Sequence, residues 1–181
     1  QSAEKPGYQL NVIAVTNAAW DAGVRGVKDL SGKRVAVTTV GSSVHYSLEI
    51  VARKHAVDTK GLTIVPLQTI PNMVAAFKGG QVDAAVFPIT TFRQVEADGS
   101  GKPIAYVGDE VPWQLGAVFT SPKTITERRP LVEKFLVGYR RGAAAYHGAF
   151  GKRENGKLGP GANDDEMIGI LSNVIKQPPA L

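Results

Sequence analysis

Ser42 and Ser43, preceded by Thr39 and Gly41 and followed by His45, are the residues whose types and spacing are suited to chemistry. Two hydroxyls after a glycine, where a β-branched run gives way to a helical pattern, can serve in two ways. They can cap the helix, a hydroxyl oxygen accepting one of its unpaired first-turn N–H groups. They can also help hold an anionic or carbonyl-bearing ligand where bare N–H donors meet the positive helix end. Rival chemistries are poorly supported. Neither GxxxxGK[ST] nor GxGxxG occurs, so a nucleotide phosphate cradle is not indicated. Ser42, His45 and Asp83 have the residue types of a hydrolytic triad, but no GxSxG elbow surrounds the serine, and catalysis is not expected. His45, His55 and His147 lack metal-ligand spacing, and with 0 cysteines there are no thiolate ligands or thiol nucleophiles. No metal and no cofactor is expected.

The elements that must position these residues follow from periodicity. KRVAVTT, bounded by Gly32 and Gly41, reads as a buried strand. The helix expected from Ser43 to Lys54 has Val44, Leu48, Val51 and Ala52 on its apolar side and His45, Glu49 and Arg53 on the wet side. A strand is expected from Tyr8 to Asn17, followed by a turn-rich connection through Trp20. GLTIVPL, VDAAVF (Val82 to Phe87) and PIAYVG read as further strands. Helices are expected over MVAAFK and from Ile89 to Ala97, each stopped by glycine. Strands alternating with helices from Arg34 to Gly108 predict an α/β fold, a doubly wound and mostly parallel sheet. WQLGAVFTS then returns as a strand. TERRPLVEKFLVGYRRGAAAYHGAF forms the longest helix, with Leu131, Phe135, Tyr139, Gly142 and Tyr146 on one stripe. GKRENGKLGPGAND reads as a polar loop, and EMIGILSNVIKQ as a short amphipathic helix before Pro178-Pro179.

Ligands in such sheets sit at the carboxyl ends of the strands. The aromatic residues read near strand ends are Trp20, Phe87 (followed by Pro88) and Trp113, and together they can wall a small organic molecule. Asn17 and Thr39 can orient it. At 181 residues the chain accommodates one large domain or two small ones. Its net charge of +5 is spread along the sequence without interleaved aromatics, so no nucleic-acid partner is expected. No apolar run approaches the ~20 residues that span a bilayer.

VKDLSGKRVAV, TTVGSSVHYSLEIVARKHAVD, TIPNMVAAFKGGQVDAAVFP and ITERRPLVEKFLVGYRRGAAAYH, in this order, resemble the type II periplasmic substrate-binding proteins of ABC importers. The nearest branch handles sulfonates, taurine, nitrate and thiamine-pyrimidine precursors. The resemblance runs from Tyr8 to about Gly148. It implies two lobes around a ligand cleft, with Gly41, Ser42 and Ser43 touching the ligand's polar head and Thr39 preceding them. It implies a far wall at Phe87 and Pro88, with Asn17 and Trp113 near the crossings between lobes. Residues 25–115 are then the second, intact lobe, and 1–24 with 116–181 an incomplete first lobe, the chain being shortened at its amino end.

The implied function is that of a solute-binding protein rather than an enzyme. It captures a small organic anion or heteroaromatic and delivers it to an ABC permease in the inner membrane. Its expected place is the periplasm, or a lipid anchor on the outer face of the cytoplasmic membrane. An incomplete lobe implies weak or no ligand binding by this chain, and self-association. The alternatives on the same fold are the effector domain of a LysR-type regulator and, further off, a thiamine-pyrimidine biosynthesis enzyme, whose cysteine-rich motif is lacking here.

Overall fold

The computed structural model describes residues 2–154, 157–159, 161 and 163–175. The chain divides into two compact units, residues 1–118 and 119–181. In the first unit, β1 (Ser2–Glu4) precedes β2 (Asn11–Thr16), whose six residues are all buried. A short helix α1 (Asn17–Asp21) and a 3-10 turn (Val27–Leu30) lead to β3 (Arg34–Val37) and α2 (Ser43–Lys54). After β4 (Thr63–Pro66) and α3 (Ile70–Lys78) come β5 (Ala84–Pro88), α4 (Ile89–Ala97), β6 (Gly101–Tyr106), α5 (Val107–Glu110) and β7 (Trp113–Gly116).

The main sheet has five strands in the order β4-β3-β5-β2-β6. β3 pairs in parallel with β4 and β5, while β2 is antiparallel to both β5 and β6. Four strands therefore run one way and β2 runs against them, which matches the mostly parallel α/β sheet expected. The β2 ladder shows that the sheet extends beyond residues 25–115. Asn11 to Val15 lie opposite Pro88 to Ala84, so a strand assigned from sequence to the other lobe sits between β5 and β6. The segment through Trp20, expected as a turn-rich connection, contains α1, begun by Thr16, whose hydroxyl accepts the Ala19 N–H.

Apolar burial is the main source of stability in this unit. Val44, Leu48, Val51 and Ala52 of α2 are buried against the sheet, as their spacing requires. Phe77 and Phe87 meet edge to face at 5.3 Å in the same core. At the amino ends of the parallel strands, Asp83 clamps Arg34. Its carboxylate accepts from the Arg34 backbone N–H at 2.8 Å and from the guanidinium at 2.8 and 3.1 Å. The side-chain bonds from Arg34 hold the Asp83 carboxyl below its ordinary value of 3.8, with the Arg34 backbone N–H and the nearby positive charges of Arg34 and Lys33 adding to the effect. Since the folded-state pKa lies below the unfolded one, the clamp's contribution is fully present above pH ~4. It is lost as the pH falls through the folded value. Asp83→Asn is expected to lower stability by about 1–2 kcal/mol at pH 7, a range discounted for the half-exposed guanidinium. In urea titrations the gap from wild type should narrow as the pH drops below about 4. A gap that stays constant with pH would show that the clamp carries no charge-dependent stability.

The second unit holds α6 (Pro122–Phe150), the short antiparallel pair β8 (Arg153–Glu154) and β9 (Lys157–Leu158), and α7 (Asp164–Ile175). The pair occupies part of the tract expected as a loop. Pro178 and Pro179 lie outside the described residues. Ser121 caps α6, its hydroxyl accepting the Thr124 N–H at 3.1 Å. Arg128 leaves helical geometry two residues before Pro130, which removes a helix donor and crowds the preceding turn. The stripe expected on this helix forms and is exposed at Leu131, Phe135, Tyr139 and Tyr146.

Candidate functional site

β4, β3 and β5 run in parallel, so the helices that follow them, α2, α3 and α4, all begin along one edge of the sheet. That edge carries the positive helix ends, each equivalent to a fraction of an elementary charge. The segment between β3 and α2 is the most constructed part of it. Gly41 turns the chain with φ +82°, a conformation that disfavours a side chain. Ser42 then caps α2: its Oγ accepts the His45 N–H at 3.2 Å and the Thr38 hydroxyl at 3.0 Å. Ser43 is exposed. Its backbone N–H and that of Val44 have no hydrogen-bond partner among the described residues, so two donors of the first turn remain for a ligand. Gln68, after β4, holds a left-handed conformation at φ 68° and donates its N–H to the Thr38 carbonyl at 2.7 Å, fixing the strand end from the other side.

The helix is also tethered at its far end. Glu110 of α5 takes Lys54 Nζ at 2.8 Å and His55 Nε2 at 2.9 Å. Hydrogen bonds from Lys54, then from His55, together with their charges, keep the Glu110 carboxyl below its ordinary range. α2 is thus held between its cap and an ionic tether.

Not all the residues expected at the site come together. Thr39, Gly41, Ser42 and Ser43 share the edge, and Pro88 joins them as the residue preceding α4. Trp113 lies against α2 one turn in, its ring 5.7 Å from that of exposed Tyr46, a partner the sequence reading did not single out. Asn17 and Trp20 are at the opposite edge. β2 runs against its neighbours, so its carboxyl end lies beside Ala84 and Gly101, about 20 Å from its start at Asn11. There Asn17 donates to the Gly99 carbonyl at 2.7 Å, and the Arg25 guanidinium stacks 4.0 Å from the Trp20 ring centre. Phe87 is fully buried and belongs to the core rather than to a ligand wall. Asp83, in the Arg34 clamp at the start of β3, is a strand length from Ser42, so no Ser-His-Asp triad assembles. His45 is engaged within the protein at both ring nitrogens: Gly41 N–H to Nδ1 at 3.0 Å, and Nε2 to Glu49 at 3.3 Å.

Glu4 was missed altogether. Its carboxylate is 0% exposed and accepts five N–H donors: Leu10, Asn11 and Gly108 from the backbone, the Asn11 amide, and the Trp113 indole at 2.7 Å. It joins the β1–β7 ribbon, where Glu4 lies opposite Trp113, to the start of β2 and, through Gly108, to α5. Trp113 is thereby fixed beside α2.

Comparison with known proteins agrees with this architecture. The alkanesulfonate-binding protein SsuA from Xanthomonas axonopodis pv. citri, bound to MOPS, is 26% identical, with a TM-score of 0.67 over 98% of this chain and 54% of that one. The periplasmic aliphatic sulphonate-binding protein SsuA from Escherichia coli is 18% identical, with a TM-score of 0.66 over 98% of this chain and 55% of that one, and shares the fold. The chain thus spans about half the length of these structures. No curated protein matches it significantly. Among the described residues, no helix is long and apolar enough to cross a membrane. Residues 8–148 match the family model described as NMT1/THI5 like, and the chain belongs to the NMT1/THI5-like family.

Proposed function

We propose that this chain is part of a solute-binding component of an ABC import system, and that the amino end of α2 holds the anionic head of a small organic ligand. The observation that carries this reading is the pair of unpartnered N–H groups at Ser43 and Val44, at a helix start whose own cap is already satisfied by Ser42. Thr39, Gly41, Ser43 and Pro88 surround the head, and Trp113 with Tyr46 offers an aromatic face for the body. A sulfonate is the preferred head: it stays charged at neutral pH and presents three oxygens to converging donors. The similarity to an alkanesulfonate-binding protein bound to MOPS favours the same class. Binding without catalysis, delivery to a membrane permease and a periplasmic or lipid-anchored location complete the proposal.

One helix end contributes about 0.3–1 kcal/mol, up to ~2 in favourable geometry, whereas micromolar binding needs about −8 kcal/mol. The helix end alone therefore cannot supply such affinity and this chain is expected to bind weakly, so sub-micromolar affinity of the 181-residue chain for MOPS by calorimetry would contradict this reading. Ser43→Asp places a carboxylate at the same helix end, where an acidic residue is favourable to the helix. It should weaken MOPS binding by about tenfold or more while leaving the fold intact. Unchanged affinity by NMR titration would move the site elsewhere.

A further inference from the structure

His45 is 16% exposed in its side chain, sits in the first turn of α2, and has both ring nitrogens occupied. A backbone N–H can only donate, so the Gly41 contact at 3.0 Å requires a lone pair on Nδ1. The proton of the neutral ring is then on Nε2, directed at Glu49 Oε1 at 3.3 Å. Glu49 is itself steadied by the Thr59 hydroxyl, which donates to its other oxygen at 2.9 Å. A continuous chain thus runs from the Gly41 amide through His45 and Glu49 to the 3-10 turn at Thr59–Gly61. Its effect falls on the loop that forms the proposed anion site. With the Gly41 N–H tied to the imidazole, the φ +82° turn is pinned and Ser42 is presented as the cap. The first-turn donors of Ser43 and Val44 are left to the ligand.

We infer that His45 is a positioning residue, which in its neutral Nδ1-acceptor tautomer holds the Gly41 amide and so sets the shape of the α2 anion site. The inference rests on the reading of that site given above. The ring faces the Gly41 donor on one side and the Glu49 carboxylate on the other, both from the loop and helix that carry it. A side chain without an acceptor at this position leaves the Gly41 N–H without its partner, so order at the Gly41 turn follows the presence of the Nδ1 lone pair.

The test is amide NMR on the full chain, comparing wild type, His45→Asn and His45→Ala. Asparagine places a carbonyl acceptor near the Nδ1 position; alanine removes the acceptor. The Gly41 amide should be protected in wild type and in His45→Asn, and its protection factor should fall about tenfold or more in His45→Ala. Gly41 protection equal in wild type and His45→Ala, or lost equally in His45→Asn and His45→Ala, would overturn the assignment. If His45→Ala does not fold, His45→Leu, which keeps the bulk and has no acceptor, gives the same reading. A parallel MOPS titration should show His45→Asn within about twofold of wild type and His45→Ala about five- to tenfold weaker. Equal affinity in His45→Ala would also overturn it. Absence of MOPS binding in every form would count against the ligand reading alone, because the amide readings need no ligand.

Discussion

Glu4→Ala is expected to destabilise the first unit by about 3–5 kcal/mol, one of the two largest effects of any single substitution described for this chain. The carboxylate is buried and satisfies five donors, three of them backbone N–H groups that cannot turn away. Removing it leaves those donors dry and unpaired, at about 1–3 kcal/mol for each one that water cannot reach. Glu4→Gln tests the charge separately from the shape. Its amide has one acceptor oxygen, and its NH2 group would face donors, so it should cost about 2–3 kcal/mol. A domain of this size has a total stability of about 6–18 kcal/mol, so either loss shifts the urea midpoint strongly. The indole of Trp113 loses its acceptor at the same time, and its fluorescence should move toward that of an unbonded indole. A Glu4→Ala midpoint within error of wild type would show that the ribbon is not anchored by this carboxylate.

Phe87→Ala should cost about 3–5 kcal/mol, the range for emptying a buried aromatic site. Phe87 is 0% exposed, packs edge to face on Phe77, and lies opposite Val12 in the β2–β5 ladder. The cavity would open in the middle of the sheet, where the backbone cannot collapse to refill it. Phe87→Leu, which restores most of the volume, should cost roughly half as much or less. The same substitutions separate the two roles this residue has been given. A ligand wall predicts Phe87→Ala with normal stability and reduced affinity; a core residue predicts the reverse in stability. Urea unfolding decides between them, and an unchanged midpoint would return Phe87 to the site.

Legibility in the sequence followed the range of the interactions. α2 and α4 were readable to their end residues, because a 3.6-residue apolar period and a cap or glycine stop are local signals. The direction of β2 was not readable. A buried strand has the same pattern whichever way it runs, and its antiparallel pairing with β5 is decided far along the chain. That one undetermined direction carried Asn17 and Trp20 to the wrong edge. Phe87 was misplaced for a related reason. β5 is buried on both faces from Ala84 to Phe87, so alternation does not say which aromatic meets solvent. His45 was readable as a first-turn residue, but its bonds to Gly41 and Glu49 depend on a ring orientation no spacing rule supplies. Glu4 left one local trace. Pro6-Gly7 is a turn signal, and a turn there pairs Lys5 with Tyr8, folding Glu4 back toward Leu10 and Asn11. Its other partners, Gly108 and Trp113, are over a hundred residues away.

The proposed anion site is the amino end of α2, and chemical-shift mapping of the 15N-labelled chain during a MOPS titration tests it most directly. Fast-exchange shifts, characteristic of weak binding, are expected, concentrated at the amides of Thr39 to Tyr46, with smaller ones at the starts of α3 and α4. Shifts centred instead on Asn17, Trp20 and Gly99 at the opposite edge would contradict it.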